Sequence, residues 1–306
     1  MKKIALVFPG QGSQSVGMLE PLAAFPAVQA CVNTANEVLG VDLVTMINDG
    51  PAETLNQTQW TQPALLAVSV GIFQTIREQQ AWEVPVMAGH SLGEYSALVC
   101  AGALSLEEAI GLVHKRGQYM QQAVPAGTGA MAAVLGLDED GIEQACQASG
   151  GNVSPANFNS PGQIVIAGAA DAVEKAGQLC LDAGAKKVMP LAVSVPSHCD
   201  LMRPAAEQLA ADLAQINWQQ PNTTILHNVD VLSHTDAEGL QQALMAQLYS
   251  PVRWTQTMQA MQDMGVEAVA ECGPGKVLSG LFKRFDRSLN VTPLLNSKGI
   301  MQILEG

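Results

Sequence analysis

A serine bracketed by glycines, Gly89-His90-Ser91-Leu92-Gly93, stands between a short apolar run and a helix-forming one. In an α/β protein this G-x-S-x-G spacing turns a strand into a helix so sharply that the serine hydroxyl is left exposed. The stretch from Val84 to Ala88 is the expected strand, and the one from Glu94 to Val99 opens the expected helix. A turn that tight leaves no room for side chains beside the serine, which accounts for both glycines. Ser91 then sits at the carboxyl end of a strand and near the positive amino end of a helix, the place for a nucleophile.

A serine nucleophile needs a base, and the chain has five histidines. His90 adjoins Ser91, where neighbouring side chains diverge, so it is a poor base but can line a pocket. His114 lies mid-helix beside Lys115, His227 ends an apolar strand, and His234 stands in a polar loop. His198 follows Val193-Ser194-Val195-Pro196-Ser197, a strand broken by proline, and precedes a helix. That junction is where active-site residues of α/β proteins collect, although a structural histidine there remains an alternative. A triad acid is harder to place. The acids between Ser91 and His198 mostly fall on predicted helices of the 127–196 segment (Glu139, Asp140, Glu143, Asp171, Glu174), and none follows a core strand in the right place, so the order Ser, acid, His of the hydrolases is unfilled. A Ser-His dyad whose imidazole is held by an amide or a backbone carbonyl is the expectation.

The oxyanion donors also depart from the lipase plan, because no His-Gly-Gly-Gly run exists. Instead the first strand ends in Phe8-Pro9-Gly10-Gln11-Gly12-Ser13-Gln14. That turn exposes backbone N–H groups, and those of Gln11 and Leu92 are placed to converge on a developing oxyanion. A phosphate loop is the competing reading, but neither G-x-x-x-x-G-K-[ST] nor G-x-G-x-x-G occurs. Arg116 has apolar Val113 and Met120 at helical spacing, which turns it inward. A buried guanidinium needs an anion. No carboxylate at helix spacing supplies one, which leaves a bidentate substrate carboxylate or a distant acid.

Short apolar strands alternating with amphipathic helices must position these groups, which argues for a mainly parallel sheet covered on both faces. The predicted order begins with a strand over 2–8, helices near 22–39 and 63–80, a strand over 84–88, and helices over 94–101 and 105–123. Between Gly127 and Pro196 the pattern becomes strand (130–137), helix (139–148), strand (153–157), strand (163–167), helix (170–183) and strand (187–193). That β-α-β-β-α-β order is the ferredoxin-like signature. The expectation is an α/β-hydrolase-like large subdomain over 1–126 and 197–306, with a ferredoxin-like small subdomain over 127–196 inserted into it. The large part resumes with a helix over 201–216, a strand over 224–229, helices over 240–248 and 254–264, and a strand over 268–271. A further helix and strand end the chain.

With 306 residues, 48% hydrophobic and 14% charged, the chain can bury a full core. No apolar run has membrane-span length, and the apolar start is too short for a signal peptide, so a cytoplasmic protein is expected. Its six cysteines form no C-x-x-C pair and read as reduced thiols. A net charge of −13 argues against nucleic-acid binding. The scarce bases cluster at Lys115-Arg116, at Lys186-Lys187, and at Lys276 with Lys283, Arg284 and Arg287.

Several segments together resemble the malonyl-CoA:acyl carrier protein transacylases of bacterial type II fatty acid synthesis. They are 8–14, Thr-Gln-Pro-Ala-Leu at 61–65, the elbow run from Gly89 to Gly102, and Arg116-Gly117. Asn-Ser-Pro-Gly-Gln-Ile-Val-Ile-Ala-Gly at 159–168, Ser-Val-Pro-Ser-His at 194–198, Pro-Val-Arg-Trp at 251–254 and Glu-Cys-Gly-Pro-Gly-Lys-Val-Leu at 271–278 belong to the same set. The likeness runs essentially end to end. It implies Ser91 as nucleophile, His198 as general base and acid, and the backbone of Gln11 and Leu92 as oxyanion hole. It further implies Arg116 as clamp on a malonyl carboxylate and Gln247 as the residue whose backbone carbonyl orients the histidine. His90, Asn157 and Asn159 are implied as pocket residues, the two asparagines on a loop of the insertion facing CoA or the carrier arm. His227, where relatives often carry small polar residues, has no assigned role. The reaction implied is ping-pong transfer of malonyl from CoA to carrier protein in a monomer that uses no metal or cofactor. Lys186, Lys187, Lys283, Arg284 and Arg287 are the expected dock for the acidic carrier. A malonyltransferase for a polyketide synthase or a malonate decarboxylase, a serine hydrolase, and a binding scaffold are the alternatives.

Overall fold

A computed structural model describes residues 3–80, 82–125, 127–192 and 195–305. The chain opens with β1 (Ile4–Phe8) and continues through helices α1 (Pro26–Leu39), α2 (Leu43–Asp49), α3 (Ala52–Leu55) and α4 (Thr58–Gln79). β2 (Val86–Gly89) then leads into α5 (Gly93–Cys100) and α6 (Leu106–Ala123). Next come β3 (Gly129–Leu135), α7 (Glu139–Ser149), β4 (Val153–Ser160), β5 (Gln163–Ala169), α8 (Ala170–Asp182) and β6 (Lys187–Pro190). The remainder runs α9 (Arg203–Leu213), β7 (Thr224–Leu226), α10 (Ala237–Tyr249), α11 (Trp254–Asp263), β8 (Ala268–Glu271), α12 (Val277–Phe285), β9 (Asn290–Pro293) and α13 (Ser297–Leu304).

Five strands form a parallel sheet in the order β7-β2-β1-β8-β9. Its central strand shows why: Leu6 and Phe8 pack into the core on one face, Ala5 and Val7 into a second cluster on the other. Alternate residues apolar on both faces are what a sheet covered by helices on each side requires. All five strands point the same way, so the loops after β1, β2, β7 and β8 meet at one edge, where ligands of such sheets bind. The remaining strands make an antiparallel sheet in the order β4-β5-β3-β6, drawn wholly from residues between 129 and 190. Along the β4 edge the antiparallel sheet is tied to the segment between α10 and α11, since Phe158 N–H donates to Val252 O at 2.9 Å and Val252 N–H to Ala156 O at 2.9 Å. Gly129, where the chain enters the antiparallel sheet, lies so close to the Pro196 ring that a Cβ would sit 2.4 Å from it.

Several boundaries differ from the sequence reading for physical reasons. The helix expected from residue 63 starts at Thr58, with Pro63 inside it. A proline there removes the bond to the carbonyl four residues back. That carbonyl, Gln59 O, instead accepts from the His114 ring at 2.9 Å, so the helix survives. The helix expected from residue 22 begins at Pro26, a favoured first helical position. The one expected from Leu201 begins as a tight turn over Asp200–Met202 before Arg203. The short α2 and α3 have too few turns to show a period. The strand expected over 224–229 ends at Leu226, and the last strand of the antiparallel sheet ends at Pro190. Met1, Lys2, Ala126, Val193 and Ser194, which the expected strands and boundaries include, lie outside the described residues. No helix among the described residues is long and apolar enough to cross a membrane.

Candidate active site

The elbow after β2 is built as its glycines demand. A Cβ on Gly89 would lie 1.8 Å from the Gly93 backbone, and one on Gly93 would lie 2.0 Å from Phe8 O. Those approaches press the turn against β1 and leave Ser91 with φ at 53°, a left-handed conformation that costs a non-glycine residue on the order of 1–3 kcal/mol. The strain is held by hydrogen bonds. Asn228 Oδ1 accepts from Ser91 N–H at 2.7 Å, Asn228 Nδ2 donates to Gly89 O at 2.7 Å, and Gln247 Nε2 donates to Ser91 O at 3.0 Å.

His198, also left-handed with φ at 62°, brings its Nε2 to 2.8 Å from Ser91 Oγ. Its Nδ1 is 2.7 Å from Gln247 O. A carbonyl only accepts, so Nδ1 carries the proton and Nε2 is free to take the serine's. The imidazole is 3% exposed, and burial, aided by the nearby Arg116 charge, lowers its pKa to about 3. The ring is therefore neutral at physiological pH.

Arg116 reaches this pair from α6, 1% exposed. One terminal nitrogen donates to Gln62 Oε1 at 2.9 Å; the other donates to Gln247 Oε1 at 2.9 Å and to Ser91 Oγ at 3.2 Å. Its plane lies over the Tyr95 ring, 5.4 Å from the centroid. No acid among the described residues forms an ion pair with it. The partners are neutral, two side-chain amides and a hydroxyl, so the positive charge beside the serine stays available for an anion.

Ser91, His198 and Arg116 line a cleft of about 480 Å³ between the carboxyl edge of the parallel sheet and the face of the antiparallel one. Gln11 and Leu92 border it, and neither backbone N–H has an acceptor among the described residues. His90 Nε2 lies 2.9 Å from Asn159 Oδ1, with the Trp254 ring 5.4 Å from its own. Asn157 and Asn159 border the same cleft, but on β4, where the register shifts between Pro155 and Asn157 and again between Phe158 and Ser160. The loop expected to carry them is thus an irregular strand, lengthened by its pairing with β5. Lys186 and Lys187, and Lys283, Arg284 and Arg287, stand exposed, and one contact links the two groups at a corner of the antiparallel sheet. Lys187 pairs with Leu135, which pairs with Gln163, and Gln163 Oε1 accepts from Arg284.

Gln62, Glu94 and Asn228 escaped the sequence reading. Gln62 lay within the 61–65 motif, and Glu94 follows the elbow directly, but their partners are 54 and 153 residues away. His227 Nδ1 is 2.8 Å from Glu94 Oε1, both side chains fully buried.

Comparison with known proteins agrees along the whole length. The acyl transferase domain family matches residues 5–293. The malonyl CoA-acyl carrier protein transacylase of Haemophilus influenzae is 58% identical over 93% of this chain and 92% of its own. That of Escherichia coli K12 is 51% identical over all of both chains. Among solved structures, the transacylase of Coxiella burnetii superposes with a TM-score of 0.98 at 47% identity, covering 99% of this chain and 97% of its own. A malonyl-transacylase in complex with a type II polyketide synthase acyl-carrier protein gives 0.98 at 51% identity, covering 99% of each chain. A serine-histidine pair with a buried, unpaired arginine thus sits in a chain that belongs to the acyl transferase domain family and, within it, to the malonyl CoA-acyl carrier protein transacylases.

Proposed function

We propose that this protein transfers the malonyl group of malonyl-CoA to the phosphopantetheine thiol of an acyl carrier protein, through a malonyl ester on Ser91, and so supplies fatty acid synthesis. The observation that carries the reading is Arg116, buried without an acid and 3.2 Å from the Ser91 hydroxyl. An acyl group ending in a free carboxylate satisfies it; an acetyl group does not.

His198 Nε2 removes the Ser91 proton as the oxygen attacks the thioester carbonyl. The N–H groups of Gln11 and Leu92 receive the developing oxyanion, while Arg116 holds the malonyl carboxylate and Gln62 and Gln247 hold Arg116. Collapse of the intermediate expels the CoA sulfur, which takes the proton from His198, and the ester remains. The carrier thiol repeats the sequence in reverse, its proton passing through His198 to Ser91 Oγ. Gln247 O keeps the histidine in the tautomer both halves need, the task an acid performs in a triad. His90, Asn157 and Asn159 form the cleft wall toward the CoA or carrier arm.

In this reading the parallel sheet is a hydrolase-like large subdomain, 1–126 and 197–306, and the antiparallel sheet a ferredoxin-like insertion over 127–196. The enzyme acts as a cytoplasmic monomer. Lys186, Lys187, Lys283, Arg284 and Arg287 receive the acidic carrier at the corner they share. A second acceptor class, a polyketide synthase carrier, is favoured by one observation, the carrier bound to the similar malonyl-transacylase. Incubation with malonyl-CoA followed by intact-mass measurement tests the proposal. The expected product is one malonyl adduct, lost in Ser91→Ala and discharged by holo carrier protein faster than by water. Discharge to water alone makes the protein a hydrolase, and no adduct makes it neither.

A further inference from the structure

Behind the catalytic groups lies a buried circuit of Glu94, His227, Asn228 and Gln247, none of which lines the cleft. Glu94, in the first turn of α5, is fully buried and forms no ion pair with a lysine or arginine among the described residues. Its Oε2 accepts from Asn228 N–H at 2.9 Å and from Gln247 Nε2 at 3.0 Å, and its Oε1 faces His227 Nδ1 at 2.8 Å. The same Asn228 and Gln247 side chains hold the two peptide groups flanking the nucleophile, one through Ser91 N–H and the other through Ser91 O. A peptide group is planar, so the bond to Ser91 O also sets the direction of the N–H on its other side, which is that of Leu92.

We propose that Glu94 and Asn228 are positioning residues that lock both peptides beside Ser91 and so aim the Leu92 N–H at the oxyanion. Asn228 bridges Gly89 O and Ser91 N–H, the two ends of the strained turn. Glu94 anchors the backbone of Asn228 and the side chain of Gln247 together, so neither peptide can rotate alone. His227 completes the acceptor side: with its proton on Nδ1 it satisfies Oε1, and with the proton on Nε2 it would accept from an amide placed there. A glutamine at 94 therefore fits the circuit with its oxygen toward Asn228 and Gln247 and its nitrogen toward His227.

The proposal rests on the oxyanion reading of Leu92 above, and the test separates the two. Ser91 acylation is timed with malonyl-CoA and, independently, with a fluorophosphonate, whose phosphoryl oxygen uses the same donors without needing Arg116. Malonyl-CoA affinity is measured by calorimetry in a Ser91→Ala background, and folding by thermal melts. Asn228→Ala and Glu94→Ala are expected to slow both acylations by about 10²-fold, the loss typical of one oxyanion donor. Binding of malonyl-CoA should stay within about threefold in the Asn228→Ala, Ser91→Ala protein, because only the transition state uses the aimed N–H. Glu94→Gln should recover most of the rate lost by Glu94→Ala. Folded Asn228→Ala protein that acylates as fast as the parent overturns the proposal, as does a rate loss matched by an equal loss of binding. If the fluorophosphonate labels the parent and malonyl-CoA does not, the substrate assignment falls, while the labelling rates of the variants still decide the positioning role.

Discussion

Along the carboxyl edge of the parallel sheet the polar groups are buried and tied to one another, whereas at the corner of the antiparallel sheet the charges stand in solvent. Arg116, His198, Gln247, Asn228 and Glu94 are each less than 4% exposed, and their bonds run to side-chain amides, backbone groups, the Ser91 hydroxyl and the His227 ring. Lys187, Lys283, Arg284 and Arg287 are exposed, and Arg284 leans on a single glutamine amide. Buried polar groups bonded to one another hold a fixed geometry. Exposed charges give long-range attraction that salt screens. Under the proposed function the first region stabilises a transition state and the second collects a partner, so changes in the first should fall on rates and changes in the second on encounter.

The sharpest way to break that division is His198→Ala. Acylation of Ser91 should fall on the order of 10²–10⁴-fold, the range for a general base, with malonyl-CoA affinity preserved; a loss of affinity instead would move His198 out of the chemistry. Arg116→Ala should come next. It removes charge-assisted bonds worth about 1.5–3 kcal/mol, so the malonyl-over-acetyl preference measured by competition should shrink by about 10- to 150-fold. If malonyl still wins by the same margin, the guanidinium is structural. Smaller again is the triple reversal Lys283→Glu, Arg284→Glu, Arg287→Glu. It should raise KM for the carrier by about tenfold at low salt, less at high salt, and leave KM for malonyl-CoA alone. An unchanged carrier KM would place the dock elsewhere.

The smallest effect expected is that of pH on the first half-reaction. Protonation of His198 removes the base, and in the fold it occurs near a pKa of about 3, not near the ordinary 6.5. The acylation rate should therefore be flat between about pH 5 and 8 in stopped-flow measurements, falling only as pH drops toward the lowered value. An inflection near 6.5 would mean that the free enzyme's imidazole is far wetter than its burial implies.

What the sequence made legible was local. The glycines around Ser91 announce a close approach whatever they approach, and the apolar flanks of Arg116 announce burial. His198 was legible from its junction, but the carbonyl that orients it came only from the family resemblance, because nothing near Gln247 marks a backbone group. The alternation of strands and helices foretold the parallel sheet and the separate antiparallel one. Less visible were contacts made by packing. His227 looked like the end of a strand and is the partner of Glu94, 133 residues away. Asn157 and Asn159 looked like loop residues because bulges interrupt the alternation that marks a strand. Pro63 looked like a helix start because the rescue of its orphaned carbonyl comes from another helix.

That rescue has a mechanical consequence. The bond between Gln59 O and His114 crosses from α4 to α6 one turn from where Gln62 meets Arg116, and Gly117 lets the Gln59 backbone come close enough that a Cβ would sit 2.6 Å from it. Sliding either helix by a turn would strand a half-buried carbonyl and drive a side chain into a main chain. A proline that would ordinarily weaken a helix here acts as a register pin, fixing how far the guanidinium extends into the cleft and hence, under the proposed function, the length of acid it can measure.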